Sequence, residues 1–490
     1  MVSKALNKTS FLNDQELTVP IKEHLQLWGL FWATVFVIYF LPTIFNFLFI
    51  LFVYILFARS KKNYFWLAYF ILLNYAPFGF FSEGTRDAAV RLPLFSIAAG
   101  LSFSTEQIFL FIALGKALLK KQKAFSYFKK HYQVLLIYLL ILAIMALFVH
   151  NADIGTFLDR LKKVFFLLFA FVLFQLMQAR KEKYKFVFLL VPFGFLILFD
   201  AMYFLTTGGN SIYTLFNPEN IRRSLSLGID SNNNLARYLV SGHGLSQMIF
   251  IFSLSYIFIH KEKKNYLLLA ALSAFVVVMA GALRSWFVIY SISILFYVFY
   301  QSGKIKNTIA TGVLFLLLLI PIQYSQTGKM AFSGAFERIS TVFTLGEESS
   351  ASTKSIEGKV TRRLPTQLQY IKENPITGWA FTEKTGDPDV GNFALLVDVG
   401  VLGFLIFLWF WLSYIKILRV HIKHFQNKNS KKALKLLMVS FLGILLSHFT
   451  TNAKFLIISG IFIGFFVFIS EFIISEAKFY DQKLNSTKKI

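Results

Sequence analysis

Cysteine is missing from the 490-residue chain, so disulfide bridges and thiolate metal sites are excluded. The sequence also has no His-rich or carboxylate-rich spacing typical of a metal site, and no phosphate-binding glycine loop. We therefore predict neither a metal nor another cofactor. Residues 1–24 lack the apolar core of a cleavable signal peptide, and we expect the first membrane span to act as the insertion signal.

Charged residues are scarce as well. They make up 15% of the chain, against roughly 25% in soluble domains. Hydrophobic residues make up 56%, and 60 residues are phenylalanine. An aqueous domain of this length could not bury so much apolar surface, which excludes soluble sandwich or barrel folds. The composition predicts an all-α, polytopic membrane protein.

Acidic residues are half as numerous as basic ones, 25 against 50, which leaves a formal net charge of +25. The basic residues stand in short clusters between apolar runs. Such clusters are typical of the cytoplasmic loops of membrane proteins, so we predict no nucleic-acid partner. The clusters are Lys61-Lys62, Lys120-Lys121, Lys129-Lys130, Arg180 to Lys185, Lys261 to Lys264, Lys304 with Lys306, Lys428 to Lys435, and Lys488-Lys489.

Apolar runs separate these clusters, and because a span needs about 20 residues, they predict about 12–14 transmembrane helices. Pro42 divides the first run into two short spans. The runs lie at 27–58, 64–81, 96–119, 131–149, 154–177, 186–206, 236–259, 265–301, 308–323, 393–418, 433–451 and 455–474. The predicted organisation is a polar segment (1–24), helices (25–323), a large loop (324–392), helices (393–474) and a tail (475–490).

The run at 265–301 sets the predicted orientation. Its 37 residues, at about 1.5 Å rise each, would reach nearly twice across the hydrocarbon. Basic clusters stand at both ends, so the run should leave the cytoplasm and return, with its tip near Gly281–Trp286. The hairpin places Arg284 at the outer surface, where it avoids the cost of about 2.5–3.5 kcal/mol for an Arg at mid-bilayer.

Counting outward from this hairpin places the large loop outside the cytoplasm, together with 82–95, 207–235 and the turn at about 448–454. The C-terminus then lies in the cytoplasm. The loop 324–392 holds eight basic and eight acidic residues, so it is neutral, unlike the basic inner loops. It is the one predicted soluble segment large enough to fold over a substrate.

Several arginines lie in the predicted outer segments, although basic residues are usually more frequent in cytoplasmic loops. Guanidinium groups bind phosphate bidentately, so several of them near the outer leaflet would suit a diphosphate headgroup. The alternative is that each contacts lipid phosphate or caps a helix. These arginines are Arg86, Arg91, Arg222, Arg223, Arg237, Arg284, Arg338, Arg362 and Arg363.

Asp387 and Asp389 stand at the end of the large loop, where a carboxylate could take a proton from a sugar hydroxyl. The alternative is a simple turn, since Gly386-Asp387-Pro388-Asp389 is typical of one. His243, predicted about two turns inside a span, and His448, near an outer end, are further candidates. For both, a neutral ring bonded to a backbone carbonyl is the competing interpretation.

Four stretches resemble the O-antigen ligase and polymerase superfamily, which includes Wzy-type polysaccharide polymerases. Asp230-Ser231-Asn232-Asn233-Asn234-Leu235-Ala236 resembles the Asp-x-Asn-x-x-Ala start of a central helix. Ala280-Gly281-Ala282-Leu283-Arg284-Ser285-Trp286 is similar to the family's Ser-Arg-Gly hairpin tip, with Leu283 and Ser285 replacing the flanking Ser and Gly.

The third stretch, Arg362-Arg363 followed by Tyr370 to Trp379, resembles a loop helix that begins with Arg and ends in a Pro-(Leu/Ile)-x-Gly turn. The fourth is Asp389, followed eleven residues later by Gly400. Ligases typically carry His-Asn at the start of this spacing, and Asp389 stands in the His position. The likeness covers roughly residues 205–415.

The resemblance implies a GT-C-like fold and an inverting, metal-independent glycosyl transfer in the bacterial inner membrane, with the active site facing the periplasm. The donor would be a glycan on undecaprenyl diphosphate. Asp389 would act as the base and Arg284 would stabilise the leaving diphosphate. The predicted substrate-binding residues are Arg222, Arg223, Arg237, Arg338, Arg362, Arg363 and His448.

Because the ligase His is replaced, the resemblance favours a polymerase of lipid-linked repeat units, as in O-antigen or capsule synthesis. A ligase of the same fold is the first alternative. The second is a flippase for lipid-linked oligosaccharides, although transporters tend to have inverted repeats and mid-membrane charges. The predicted partners are the lipid-linked glycan, membrane lipids and a chain-length regulator.

Overall fold

Among the residues it describes, the computed structural model is 86% helical and has three helices long and apolar enough to cross a membrane. These three are Lys129–Phe148, Arg180–Thr206 and Asn392–His424. The predicted class of helical membrane protein is therefore supported. The structure describes residues 18–75, 94–98, 101–120, 127–152, 168–207, 212, 229–230, 235–236, 243–260, 263–280, 284–301, 312–313, 320, 329–330, 333, 359–380, 382, 384, 386, 390–447 and 460–487.

Within these residues, two small antiparallel sheets accompany the helices. We number the elements in chain order. They are α1 (Ile21–Phe40), α2 (Thr43–Arg59), α3 (Asn63–Tyr75), β1 (Leu94–Ala98), β2 (Leu101–Ser104), α4 (Thr105–Leu119), α5 (Lys129–Phe148), α6 (Phe169–Leu176), α7 (Arg180–Thr206), β3 (Ile229–Asp230), β4 (Leu235–Ala236), α8 (His243–Tyr256), α9 (Lys264–Ala280), α10 (Arg284–Gln301), α11 (Leu364–Glu373), α12 (Asn392–His424), α13 (Lys428–Ser447) and α14 (Gly460–Thr487).

Helix α8 lies at the centre of the bundle. It packs against α3, α7, α9, α10, α13 and α14, and its side chains from Leu245 to Tyr256 are buried almost without exception. A helix that is buried on every side needs no polar face, which agrees with the apolar sequence of this segment. Aromatic rings fill the spaces between neighbours, as in the parallel stack of Phe250 on Tyr290 of α10.

The first apolar run forms two helices, as predicted. Helix α1 ends at Phe40, and Pro42 precedes the first residue of α2. Proline lacks an N–H and fixes φ, so it is tolerated at a helix start and breaks a helix interior.

The run at 265–301 also divides as predicted. Helices α9 and α10 flank the tip, and Arg284 is the first residue of α10. The ring of Phe275 lies 5.4 Å from the ring of Phe287 and 6.3 Å from that of Tyr290. Contacts between positions on either side of the tip require the chain to reverse there, so the predicted reversal between the two helices is confirmed.

The predicted span at 96–119 is wrong in its first third. Strands β1 and β2 form an antiparallel hairpin, and only then does α4 begin. Helix α4 starts at a capping box, in which the Ser104 side chain accepts from the Gln107 N–H and the Gln107 side chain accepts from the Ser104 N–H. This Ser-x-x-Gln spacing is a sequence signal for a helix start. The average hydropathy of the run 96–119 did not reveal this helix start.

The stretch predicted as the start of the central helix contains paired strand residues. Asp230 and Leu235 pair between β3 and β4, so the stretch that resembles the start of a helix includes a small hairpin. Helix α8 is described from His243 to Tyr256, and residues 237–242 before it lie outside the described part of the chain. Four consecutive polar residues, 231–234, favour a turn over a helix.

Several basic clusters meet buried carboxylates at one end of the bundle. Glu23 of α1 accepts hydrogen bonds from Lys185 of α7, at 3.0 and 3.1 Å, from Lys62 at 3.3 Å and from the Tyr64 hydroxyl at 2.8 Å. The ammonium group of each lysine is therefore paired, while its aliphatic side chain lies along apolar surface. These contacts place the starts of α1, α3 and α7 together.

Glu476 of α14, 1% exposed, joins the same end. It receives a bidentate pair from Arg180 of α7, at 2.6 and 2.8 Å, and a hydrogen bond from the Tyr256 hydroxyl at 3.1 Å. The predicted tail 475–490 is therefore helical as far as Thr487 and is packed against the bundle at Glu476 and Asp481.

Candidate functional site

Three of the predicted site residues fall within the described residues. Arg284 begins α10, and Arg362 and Arg363 stand exposed at the start of the loop helix α11. The side chain of Arg284 lies outside the described part of the structure. The other predicted residues lie outside the described residues: Asp389 with its neighbour Asp387, Arg222, Arg223, Arg237, Arg338 and His448.

The predicted loop helix is confirmed. A single π-helical turn, Lys359–Arg363, runs into α11, and Pro365 occupies its first turn. Proline at this position costs no hydrogen bond because the first N–H groups of a helix have no internal acceptor. The helix ends at Glu373, and the segment from Pro375 to Trp379, which we call the loop turn, follows it.

The loop turn closes against a break in α12. Gly400 has φ 63° and ψ −175°, so the helical hydrogen-bond ladder is interrupted there. In an intact helix the Val401 and Leu402 N–H groups would donate to carbonyls four residues back. They donate instead to the loop turn, to Pro375 O at 2.9 Å and Ile376 O at 3.1 Å.

One of the two carbonyls released by the break, and the carbonyl next to Gly400, accept other hydrogen bonds. Val397 O accepts from the Trp379 N–H at 2.8 Å, and Val399 O accepts from the Tyr138 hydroxyl of α5 at 2.7 Å. Buried backbone groups left unpaired are costly. The break in α12 is therefore stable only while the loop turn and α5 remain in place.

Two glycines permit this close approach. A Cβ atom on Gly400 would lie 2.2 Å from Ile376 O, and one on Gly378 would lie 2.5 Å from the Gly400 N. Both residues also have a positive φ, 66° at Gly378 and 63° at Gly400, which favours glycine. Gly378 ends the third stretch of the family resemblance and Gly400 ends the fourth. The structure brings these two stretches into direct backbone contact.

Trp379 anchors the loop turn through its side chain. Its Nε1–H donates to Tyr370 O at 3.0 Å, and the Lys384 ammonium lies 4.1 Å from its ring centroid. The ring of His150, just beyond the end of α5, lies 5.4 Å away. Burial lowers the pKa of His150, so this ring is neutral at pH 7.

Lys384 also pairs with Glu373 at the end of α11, at 2.5 Å. This hydrogen bond holds the pKa of the Glu373 carboxyl below its ordinary value. The pair connects the end of the loop helix to the segment that leads toward Asp387 and Asp389.

Asp398 is a buried acid near the loop turn that the sequence analysis did not select. It lies on the first part of α12, is 4% exposed, and accepts from the Gly386 N–H at 2.8 Å. Gly386 itself lies against the backbone of Ala394. These contacts fix the residue just before the predicted Asp387-Pro388-Asp389 turn. A lone acid within an apolar run was the signal that could have identified Asp398.

No protein-family model matches the sequence, and no curated protein matches it.

Proposed function

We propose that this protein is a polymerase of lipid-linked polysaccharide repeat units, acting on a glycan carried by undecaprenyl diphosphate. One observation carries the proposal. The third and fourth stretches of the family resemblance, separated in sequence, meet through Gly378 and Gly400. A resemblance built on unrelated fragments would have no reason to place its two glycines in contact. A GT-C-like architecture belongs to the same proposal.

The two ends of α5 and α12 support the proposed orientation. Lys129 and Lys130 begin α5, and its other end leads to His150 beside the loop turn. Helix α12 begins beside the loop turn and ends in a basic segment. Basic residues mark cytoplasmic ends, so we place the loop turn and α11 outside the cytoplasmic membrane.

The proposed reaction is a displacement at the anomeric carbon of the donor. The acceptor hydroxyl oxygen forms the new bond as the bond from carbon to the diphosphate oxygen breaks. The electron pair leaves with undecaprenyl diphosphate, and the hydroxyl proton passes to Asp389. Arginines near the diphosphate would stabilise the charge that develops on it, often the largest single contribution in such catalysis.

Deletion in the native host, followed by gel analysis of the surface glycan, tests the proposal. Loss of the polymerase should leave single repeat units on the surface. Long chains that remain on the lipid, with unmodified acceptor, would instead identify a ligase. Failure to export any repeat would identify a flippase.

Arginine variants test the proposed diphosphate contacts. Arg284→Ala and Arg362→Ala should abolish polymer at normal protein level, and the corresponding Lys variants should recover only part of it, since a point charge loses bidentate geometry. Lys372→Ala is the matched control, because Lys372 is an exposed cation on α11, the helix that follows the turn with Arg362 and Arg363. Polymer formation by purified protein from synthetic lipid-linked repeats is the measurement. Full activity in both Ala variants would show that these arginines do not bind the donor diphosphate and serve only as anchors at the membrane interface.

A further inference from the structure

Helix α4 carries an acid in the interior of the bundle. Glu106, in the first turn of this helix, is 1% exposed. The Ser104 hydroxyl and the N–H of Glu106 itself interact with its carboxyl group. The oxygen Oε2 is nevertheless buried without a hydrogen-bond partner among the described residues. Such a group is costly to bury, and an ionisable residue at membrane depth is a candidate for function.

The layer below Glu106 is aromatic and closed. Phe109, one turn farther along the same face of α4, stacks on Phe57 of α2 with 4.3 Å between ring centroids and on Phe70 of α3 with 5.1 Å. Phe70 in turn lies 5.1 Å from Phe169 of α6. Each of these four side chains, which we call the aromatic layer, is 0 or 1% exposed. The aromatic layer therefore separates Glu106 from the basic end of the bundle.

Glu106 lies near the middle of the apolar part of the bundle. Lys116, ten residues later on α4, donates to Phe57 O at 2.6 Å and to Ser60 O at 2.7 Å, at the basic end of α2. Ten residues of helix rise about 15 Å, which is half of a hydrocarbon core about 30 Å thick. The acid thus lies at mid-membrane depth and not at an interface.

The chain on the other side of Glu106 is not helical. Strands β1 and β2 directly precede α4, and the ring of Phe95 in β1 lies 5.2 Å from Phe47 and 6.1 Å from Tyr54, in the apolar middle of α2. Non-helical backbone at membrane depth is tolerated where it is covered by protein or lines a water-filled cavity. We therefore expect water to approach Glu106 from the side of this hairpin.

No cation balances Glu106 among the described residues that pack against it. Helix α4 packs against α2, α3, α6 and β2, and the last two have no titratable side chain. Tyr54 of α2 donates a hydrogen bond to the backbone beside Glu106 at 2.9 Å, and Tyr69 of α3 is hydrogen-bonded to α1 at 2.6 Å. The cations Arg59 and Lys116 lie at the far ends of α2 and α4.

Two opposing effects act on this carboxyl group. Burial without a cation favours the neutral acid. The positive end of the α4 dipole favours the carboxylate. Desolvation is the larger effect for a fully buried group, so the neutral form dominates, while the dipole keeps the ionised form within reach. A group balanced in this way can take up and release a proton.

We propose that Glu106 is a proton-binding site in the interior of the bundle, reached by water from the hairpin side and sealed by the aromatic layer on the other. The carboxyl group holds its proton in neutral solution and releases it in alkaline solution. Because one side alone has access, the charge of the site follows the pH of that side. The inference is independent of the proposed polymerase activity.

Reaction with dicyclohexylcarbodiimide tests the proposal. This apolar reagent reacts with protonated carboxyl groups in apolar surroundings, and mass spectrometry locates the adduct in a peptide. In the purified full-length protein at neutral pH, Glu106 should be modified, and the modification should be lost as the pH is raised. Glu106→Gln should remove the adduct at unchanged helix content and elution volume. An unmodified Glu106 at neutral pH would indicate an ionised carboxylate and overturn the proposal.

Glu476 is the matched control within the same chain. It is also 1% exposed, but its carboxylate pairs with the Arg180 guanidinium. Because a carboxylate in an ion pair carries no proton, Glu476 should stay unmodified. Equal modification of the two acids would mean that burial alone governs the reaction, which contradicts the proposal. Protection of Glu106 by sodium chloride but not by choline chloride, at constant pH, would identify a sodium site instead.

Infrared spectroscopy tests whether the proton exchanges with water. A neutral carboxylic acid absorbs apart from amides and carboxylates, so the difference between the parent and Glu106→Gln isolates the band of Glu106. This band should shift to lower frequency in D2O and disappear as the pH is raised. A band that does not shift in D2O would show a proton permanently enclosed, and Glu106 would then be a structural acid only.

Sealed vesicles of the two orientations test the direction of access. Raising the external pH should protect Glu106 from the carbodiimide in vesicles that expose the hairpin side. It should leave the modification unchanged in vesicles that expose the basic end. The reverse result would place access through the aromatic layer and refute the proposed site.

Discussion

Gly400 shows how much a single residue determines at the junction of the loop and the bundle. Its positive φ and the nearness of Ile376 O both exclude a side chain. We predict that Gly400→Ala lowers stability by more than the roughly 1–3 kcal/mol expected for backbone strain alone. The loss of stability is measured as the shift in the thermal midpoint of detergent-purified protein, with unfolding monitored by size-exclusion chromatography. Gly29→Ala is the control, because nothing lies within 4 Å of a Cβ at Gly29. An unchanged thermal midpoint for Gly400→Ala would contradict the close approach of Gly400 to the Ile376 carbonyl.

Asp389 is the residue on which the proposed chemistry depends most. If it accepts the proton of the acceptor hydroxyl, Asp389→Asn should lower the rate by about 10²–10⁴, measured with purified protein and synthetic lipid-linked repeats. Asp387→Asn is the control, two residues away. If both variants polymerise normally, neither carboxylate is the base, and Glu337, Glu373 and His448 become the next candidates.

Among the elements, those with strong local signals were predictable. Pro42 separates α1 from α2, and the basic ends of 265–301 indicate the reversal between α9 and α10. The loop helix α11 was predictable from Arg362 and Arg363, which precede it, and from Pro375, which follows it. The strand pairs β1–β2 and β3–β4 were missed because average hydropathy does not distinguish an apolar strand from an apolar helix.

The break in α12 illustrates what no local pattern could reveal. Gly400 lies in an apolar run that satisfies every requirement of a span. The break is stabilised by groups distant in sequence, the Pro375 carbonyl and the Tyr138 hydroxyl. Asp398 had a local signal, as a lone acid in an apolar run, but its contact with Gly386 of the loop had none. Of the candidate site, the loop helix was predictable and its attachment was not.

Helices α7 and α14 are joined by a pair whose energetics can be measured. Arg180→Leu leaves Glu476 buried without its cation, which should cost about 3–5 kcal/mol. The double variant Arg180→Leu, Glu476→Leu should regain most of this loss, because an apolar pair carries no desolvation penalty. Lys181→Leu, at the exposed neighbouring position, is the control. Thermal midpoints in detergent provide the comparison, and a single variant as stable as the parent would argue against the pair.

At the scale of the whole molecule, the proposed function depends on which end of the bundle faces the cytoplasm. The chain has no cysteine, so single cysteines can report this directly. Thr366→Cys on α11 should react with a membrane-impermeant maleimide in intact spheroplasts. Gln426→Cys, exposed between α12 and α13, should react only after lysis. The reverse pattern would overturn the orientation and the proposed function with it.

The attachment of the loop turn to α12 is built from main-chain atoms. Carbonyls and N–H groups occur at every position apart from the missing N–H of proline, so such a junction places almost no demand on the identity of Ile376, Thr377 or Val401. Only the two glycines are restricted, by the space between the backbones. Side-chain changes at these positions should therefore leave the geometry of the junction unchanged, and a pair of glycines is the feature by which such a junction can be recognised in a sequence.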